Sequence, residues 1–98
     1  MKRADFVFSI GYQGNAAVVD GQAKKKYGNL STKELAGKGL YRAAFCSALY
    51  NGSEEEMGEV VEGYNRQSGT TLKSVEDMKR LLGVFSVPDD VNRTILIK

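Results

Sequence analysis

The segment that decides the fold is Ala16-Ala-Val-Val-Asp-Gly-Gln-Ala-Lys-Lys-Lys-Tyr27, because its pattern fits two different structures. Apolar residues recur through it at helical spacing, and Gly28 stands where a residue that ends a helix is expected. The dipeptide Asp20-Gly21 is instead typical of a β-hairpin turn between strands over 16–19 and 22–27. The helix is the favoured interpretation. The hairpin stays open, and it would give a sheet of three or four strands and remove one helix.

Before this segment, the sequence predicts a strand over residues 5–10 and a glycine-rich loop over 11–15. Phe6, Phe8 and Ile10 occupy alternate positions, as in a strand with one apolar face. The loop ends at Asn15, which is a suitable N-cap for a helix that follows.

After this segment, three serines are each followed three residues later by an acid, which is the capping-box pattern. The pairs are Ser31 with Glu34, Ser53 with Glu56, and Ser74 with Asp77. They predict helices over about 32–50, 54–67 and 74–82. Gly37 and Gly39 each weaken the first of these helices by about 1 kcal/mol relative to Ala, so we expect a kink or break near Lys38.

The last strand is expected over residues 91–98, where Thr94 and Leu96 alternate with Ile95 and Ile97. We expect the first and last strands to pair, because a lone strand leaves its backbone groups unsatisfied. The predicted fold is α+β and mainly helical, with residues 1–98 in one domain. The N-terminal and C-terminal strands form a small sheet packed against three or four helices.

Composition argues against several kinds of enzyme. The chain of 98 residues has no histidine, which removes the commonest general base and transition-metal ligand. The single cysteine, Cys46, is surrounded by small and apolar residues and is expected to be a buried hydrophobic residue rather than a reactive thiol. We therefore assign no catalytic residue, no metal site and no cofactor, and a non-enzymatic role is favoured.

The sequence also predicts a cytoplasmic protein without a membrane segment. Two basic residues follow Met1, as in the first part of a signal peptide, but Asp5 comes soon after them. The apolar run that ends at Ile10 is too short for the hydrophobic part of a signal peptide. No stretch of about 20 apolar residues is present.

A basic run is the first candidate binding site. Its lysines could contact phosphates while Tyr27 stacks on a base, which would suit a nucleic acid bound without sequence preference. The net charge of +2 is small for such a domain, and lysines in a last helical turn also stabilise the helix dipole. The candidate nucleic-acid-binding residues are Lys24, Lys25, Lys26, Lys33, Lys38 and Arg42.

The glycine-rich loop is the second candidate. Glycines let a backbone approach an anion closely, and a helix that starts after the loop would offer free N–H groups to a phosphate or nucleotide. The residues are Gly11, Tyr12, Gly14 and Asn15. Tyr12 stands out because no apolar periodicity explains it, and exposed aromatic residues in loops often anchor a partner.

We expect a small binding module whose partner is most readily another protein. Nucleic-acid binding through the basic run is the first alternative, and anion or nucleotide binding at the loop is the second. A homo-oligomer is also compatible with the sequence, because a second copy could extend the open edges of a small sheet.

Overall fold

The computed structural model describes residues 1–97, which form six helices and three strands. In chain order these are α1 (Arg3–Val7), β1 (Ser9–Gln13), β2 (Ala16–Asp20), α2 (Gly21–Tyr27), α3 (Thr32–Gly37), α4 (Tyr41–Asn51), α5 (Glu54–Ser68), α6 (Val75–Leu82) and β3 (Arg93–Ile97). The predicted α+β, mainly helical class is confirmed. Lys98, the last residue of the predicted final strand, lies outside the described residues.

The strand predicted over residues 5–10 is wrong in its first half, which belongs to helix α1. The alternation of apolar residues did not predict this segment correctly, because every residue from Asp5 to Ser9 is buried and the segment has no exposed face. Arg3 helps to fix α1, because its guanidinium donates to the carbonyl oxygens of Gly28 and Leu30 at 3.2 and 2.6 Å. Such distant partners override local strand propensity.

The deciding segment combines both interpretations, with strand β2 in its first half and helix α2 in its second. The hairpin exists, but its turn is Gly14-Asn15, where Gly14 has a φ of 58° that favours glycine. Asp20 is therefore not a turn residue. Its side chain caps α2 by accepting from the Ala23 N–H at 3.1 Å, so the cap expected at Asn15 lies instead at Asp20.

The sheet has the order β1-β2-β3, so the predicted pairing of the first and last strands is wrong. Both strands pair with β2, and in opposite senses: β1 is antiparallel to it and β3 is parallel. The parallel pair needs a long crossover, and helices α2 to α6 supply it. This arrangement makes β1 and β3 the two edges.

The three predicted capping serines are confirmed. Each side chain accepts from the backbone N–H three residues on, and Ser31 forms the complete reciprocal box with Glu34. Hydrogen bonds from Ser31 hold the pKa of the Glu34 carboxyl below its ordinary value. The expected break near Lys38 is also confirmed, since α3 ends at Gly37 and α4 begins at Tyr41. The largest fully buried side chains, which mark the core, include Phe6, Leu35, Phe45, Val60 and Met78.

A chain of polar side chains crosses this core. The hydroxyl of Ser47 on α4 lies 2.8 Å from Arg3 and 2.7 Å from the hydroxyl of Thr32, which in turn donates to Glu56 at 3.1 Å. Buried polar groups are costly unless they are paired, so these bonds fix α1, α3, α4 and α5 in one arrangement.

A second buried polar group, Asp5, joins the helices to the last strand. One carboxylate oxygen accepts from Lys24 Nζ at 2.6 Å, and the other accepts from the hydroxyl of Thr94 at 3.3 Å. The side chain of Asp5 is only 8% exposed. Helices α1 and α2 and strand β3 therefore meet at this carboxylate.

We expect Lys24→Ala to lower the free energy of unfolding by about 2 kcal/mol, because it leaves the buried Asp5 carboxylate without its cation. Lys25→Ala is the matched control, since Lys25 is exposed beside it, and its effect should stay within about 0.5 kcal/mol. Urea denaturation of the two variants measures both values. Equal effects would contradict the structural role of Lys24.

Candidate functional site

Helix α2 does not present its three lysines as one free basic surface. Lys24 is bound to Asp5, and Lys26 lies over the ring of Tyr27 with its Nζ 5.2 Å from the ring centre. Of the run, only Lys25 and Lys26 are exposed. Tyr27, whose ring was expected to stack on a base, is half-buried, and its ring centre lies 6.5 Å from that of Phe8.

The other predicted basic residues lie in different surroundings. Lys33 lines a cleft of about 530 Å³ between α3 and α5, where acidic residues face it. Lys38 follows α3 and contributes to lowering the pKa of Glu34. Arg42 donates to the backbone carbonyl of Ser9 at 3.0 Å, which ties α4 to β1. Most of these charges therefore have local partners.

The cleft beside Lys33 is large enough for a small ligand, and side chains of both charges line it. Glu59 and Glu62 line it together with Lys33 and Arg66. A fifth charged residue, Glu56, already accepts hydrogen bonds from Thr32 and Asn51. Three acidic and two basic side chains thus line the cleft, and this mixed set does not mark a site for one strongly charged ligand.

The glycine-rich segment is part of a hairpin rather than a loop before a helix. Gly11 pairs with Val18, and Tyr12 is a strand residue that pairs with Ala17. The helix expected to supply N–H groups begins at Gly21, beyond the far end of β2. Gly14 and Asn15 form the turn, so the geometry assumed for the anion site is absent from this part of the described chain.

Three residues discussed from the sequence lie together around a small cavity of about 100 Å³. Tyr12, Arg42 and Cys46 line it with Ser9 and the segment 83–88. The hydroxyls of Tyr12 and Ser9 lie 3.3 Å apart. Burial raises the pKa of the Cys46 thiol to about 11, although Arg42 lowers it, so the thiol is protonated at neutral pH. The cavity is small for a ligand, and its groups serve to join β1 to α4.

The most distinctive exposed surface is strand β3, whose five residues are all exposed. Ile95, Leu96 and Ile97 are 37%, 52% and 47% exposed, which leaves three consecutive aliphatic side chains in contact with solvent. Natural proteins usually protect such an edge with charge, proline or a covering element. Exposed apolar surface often marks an interaction site, and here Ile95 and Ile97 lie on one face of the strand and Leu96 on the other.

The backbone of β3 is also open on one side. The N–H groups of Asn92 and Arg93 both donate to the carbonyl oxygen of Asn15, at 2.9 and 3.2 Å. The parallel ladder begins where Arg93 pairs with Ala16, and in such a ladder a donor to the residue before its partner points inward, so the polar groups of Arg93 point toward β2. Backbone groups alternate in direction along a strand, so those of Ile95 and Ile97 also point inward. The N–H and C=O groups of Thr94 and Leu96 then point outward, and no described strand lies on that side.

One face of the sheet carries two of these aliphatic side chains. Register places Val18 beside Ile95 and Asp20 beside Ile97, so these side chains share a face. The opposite face carries Thr94, which donates to Asp5 of α1, and Leu96, which is 52% exposed. Strand β3 thus combines open hydrogen-bonding groups with an exposed aliphatic face.

This surface is not among the candidate sites predicted from the sequence, although the strand itself is. The available signal was the run Ile95-Leu96-Ile97, which lacks an inner charge or proline. Strand order determines whether such a run is covered by a neighbouring strand or lies at an open edge. Because the predicted pairing of the first and last strands is wrong, the open edge of β3 was not predicted.

No protein-family model matches the chain, and no curated protein or solved structure shows significant similarity to it. Among residues 1–97, no helix has both the length and the apolar character needed to cross a membrane.

We expect Cys46 to react slowly with iodoacetamide in the folded protein. A pKa of about 11 in place of the ordinary 9 leaves about 100-fold less thiolate at pH 8. The same raised pKa makes the unfolded thiol ionise first, so stability falls as the pH rises from about 9 to 11. Alkylation rates in buffer and in urea measure the first effect. Equal alkylation rates in the two solvents would contradict the burial of the thiol. For the second effect, Cys46→Ala should reduce the fall in stability between about pH 9 and 11.

Proposed function

We propose that this chain is a protein-binding module whose partner adds a strand to the open edge of β3. The observation that carries the proposal is the exposure of all five residues of this edge strand. In strand addition, main-chain hydrogen bonds supply affinity, and alternate side chains supply specificity. Strand β3 offers both, because the backbone groups of Thr94 and Leu96 point outward and Ile95 and Ile97 share one exposed face.

The chemistry of this surface suits a polypeptide. An incoming strand can donate to and accept from the same edge, whereas a phosphate backbone can only accept. The aliphatic side chains gain from contact with other apolar groups, at about 25 cal/mol for each Å² removed from water. The basic residues predicted to bind nucleic acid are less available, because Lys24 is bound to Asp5 and Arg42 to the Ser9 carbonyl.

The proposal can be tested with random heptapeptides displayed on phage and selected on the immobilised domain. We expect enriched peptides with alternating apolar residues and without proline, bound with dissociation constants on the order of micromolar. Leu96→Pro removes one outward N–H and no bond to β2, since proline is tolerated at such an edge position. Its affinity for the selected peptides should fall at least about 10-fold, a loss that corresponds to 1.4 kcal/mol.

Ile10→Lys is the matched control, because Ile10 is 62% exposed on the opposite edge strand, and this variant should retain the peptides. Circular dichroism checks that each variant folds. Labelled oligonucleotides at two salt concentrations form a second arm, with Lys25→Ala/Lys26→Ala as the variant. Peptides that bind Leu96→Pro as well as the parent would overturn the proposal. Salt-sensitive oligonucleotide binding without peptide enrichment would favour the nucleic-acid alternative.

A further inference from the structure

We infer that the strand added to β3 is the β3 of a second copy of this chain, so that the protein forms a two-fold symmetric dimer. This inference rests on the proposed function and names its partner. A two-fold axis places two copies of one strand antiparallel to each other, and a self-complementary edge satisfies both. The hydrogen-bonding register, the side chains and the opposite edge of the sheet each support it.

The register follows from the directions of the backbone groups. An axis that passes beside Ile95 places Thr94 of one copy opposite Leu96 of the other. Both residues point their N–H and C=O groups outward, so each such pair exchanges two hydrogen bonds. The axis generates the pair twice, which gives about four hydrogen bonds across the interface. An axis beside Thr94 or Leu96 would instead pair that residue with itself. An axis beside Ile95 places both outward-pointing residues of β3, Thr94 and Leu96, in hydrogen-bonded pairs.

Side chains fit the same register. The two copies of Ile95 face each other as a non-hydrogen-bonded pair, the type in which side chains approach most closely. Pairs of β-branched residues in such positions stabilise a sheet. The exposed aliphatic side chain of Ile95 therefore gains an apolar neighbour of its own kind.

Charge is complementary in the same arrangement. Arg93 of one copy lies opposite Ile97 of the other, and Ile97 lies beside Asp20 on β2. The guanidinium and the carboxylate of the two copies thus lie on one face, at a backbone separation of about 10 Å, or two strand spacings. Arg93 forms no ion pair with any residue that the structure describes. One oxygen of Asp20 caps α2, which leaves the other for the guanidinium.

The dimer would be a closed assembly. Pairing at β3 gives a six-stranded sheet whose outer edges are the two copies of β1. Strand β1 is irregular, because its register with β2 shifts between Ser9 and Gly11. Such bulges twist an edge strand and hinder further pairing. The regular edge can therefore associate while the bulged edge ends the sheet.

Sedimentation equilibrium over about 1 μM to 1 mM protein tests the inference, and we expect a monomer–dimer equilibrium in this range. Ile95→Lys places two ammonium groups opposite each other at the axis and should raise the dissociation constant at least about 100-fold. Arg93→Glu should raise it about 10-fold, since it removes two partly exposed ion pairs that contribute about 3-fold each. Ile10→Lys is the control on the other edge and should leave it unchanged.

A parent that remains monomeric throughout this range overturns the dimer. A dimer that Ile95→Lys leaves intact overturns it as well, because its interface then lies elsewhere. In either case, selected peptides that bind the parent and not Leu96→Pro would leave strand addition to β3 standing with a different partner. Absence of both peptides and dimer would remove the proposed function together with this inference.

Discussion

The carboxylate of Asp5 is the group on which the arrangement of the sheet depends. A buried carboxylate is tolerated only when cations and hydrogen-bond donors surround it. Here its partners are Lys24 from α2 and Thr94 from β3, the second 89 residues away in sequence. Asp5 thereby links helix α1 near one end of the chain to strand β3 near the other, where β3 pairs parallel to β2.

This contact also determines which surfaces remain for binding. Thr94 and Leu96 lie on one face of β3, and Ile95 and Ile97 lie on the other, with exposed side chains on both faces. The same contact removes Lys24 from the basic run, so a residue that the sequence suggests for phosphate binding has a structural role. The ion pair between Lys24 and Asp5 thus weakens the predicted basic site.

Sequence patterns predicted the features that depend on neighbouring residues. The capping serines and the break near Lys38 are local, because each is decided within a few positions of the chain. The pattern over residues 5–10 misled because distant partners bury both faces of that segment. The helix and hairpin interpretations of residues 16–27 stayed open because Asp20-Gly21 suits a hairpin turn as well as a helix start, and the cap on Ala23 distinguishes the two uses. The open edge depends on strand order, which local patterns do not encode.

Amide hydrogen exchange along β3, followed by NMR at low and high protein concentration, tests the account most directly. In dilute solution we expect the amides of Ile95 and Ile97 to be protected by β2, while those of Thr94 and Leu96 exchange rapidly. At high concentration the latter two should become protected as a second strand pairs with them. Uniform exchange along the strand at both concentrations would contradict the open edge and the partner assigned to it.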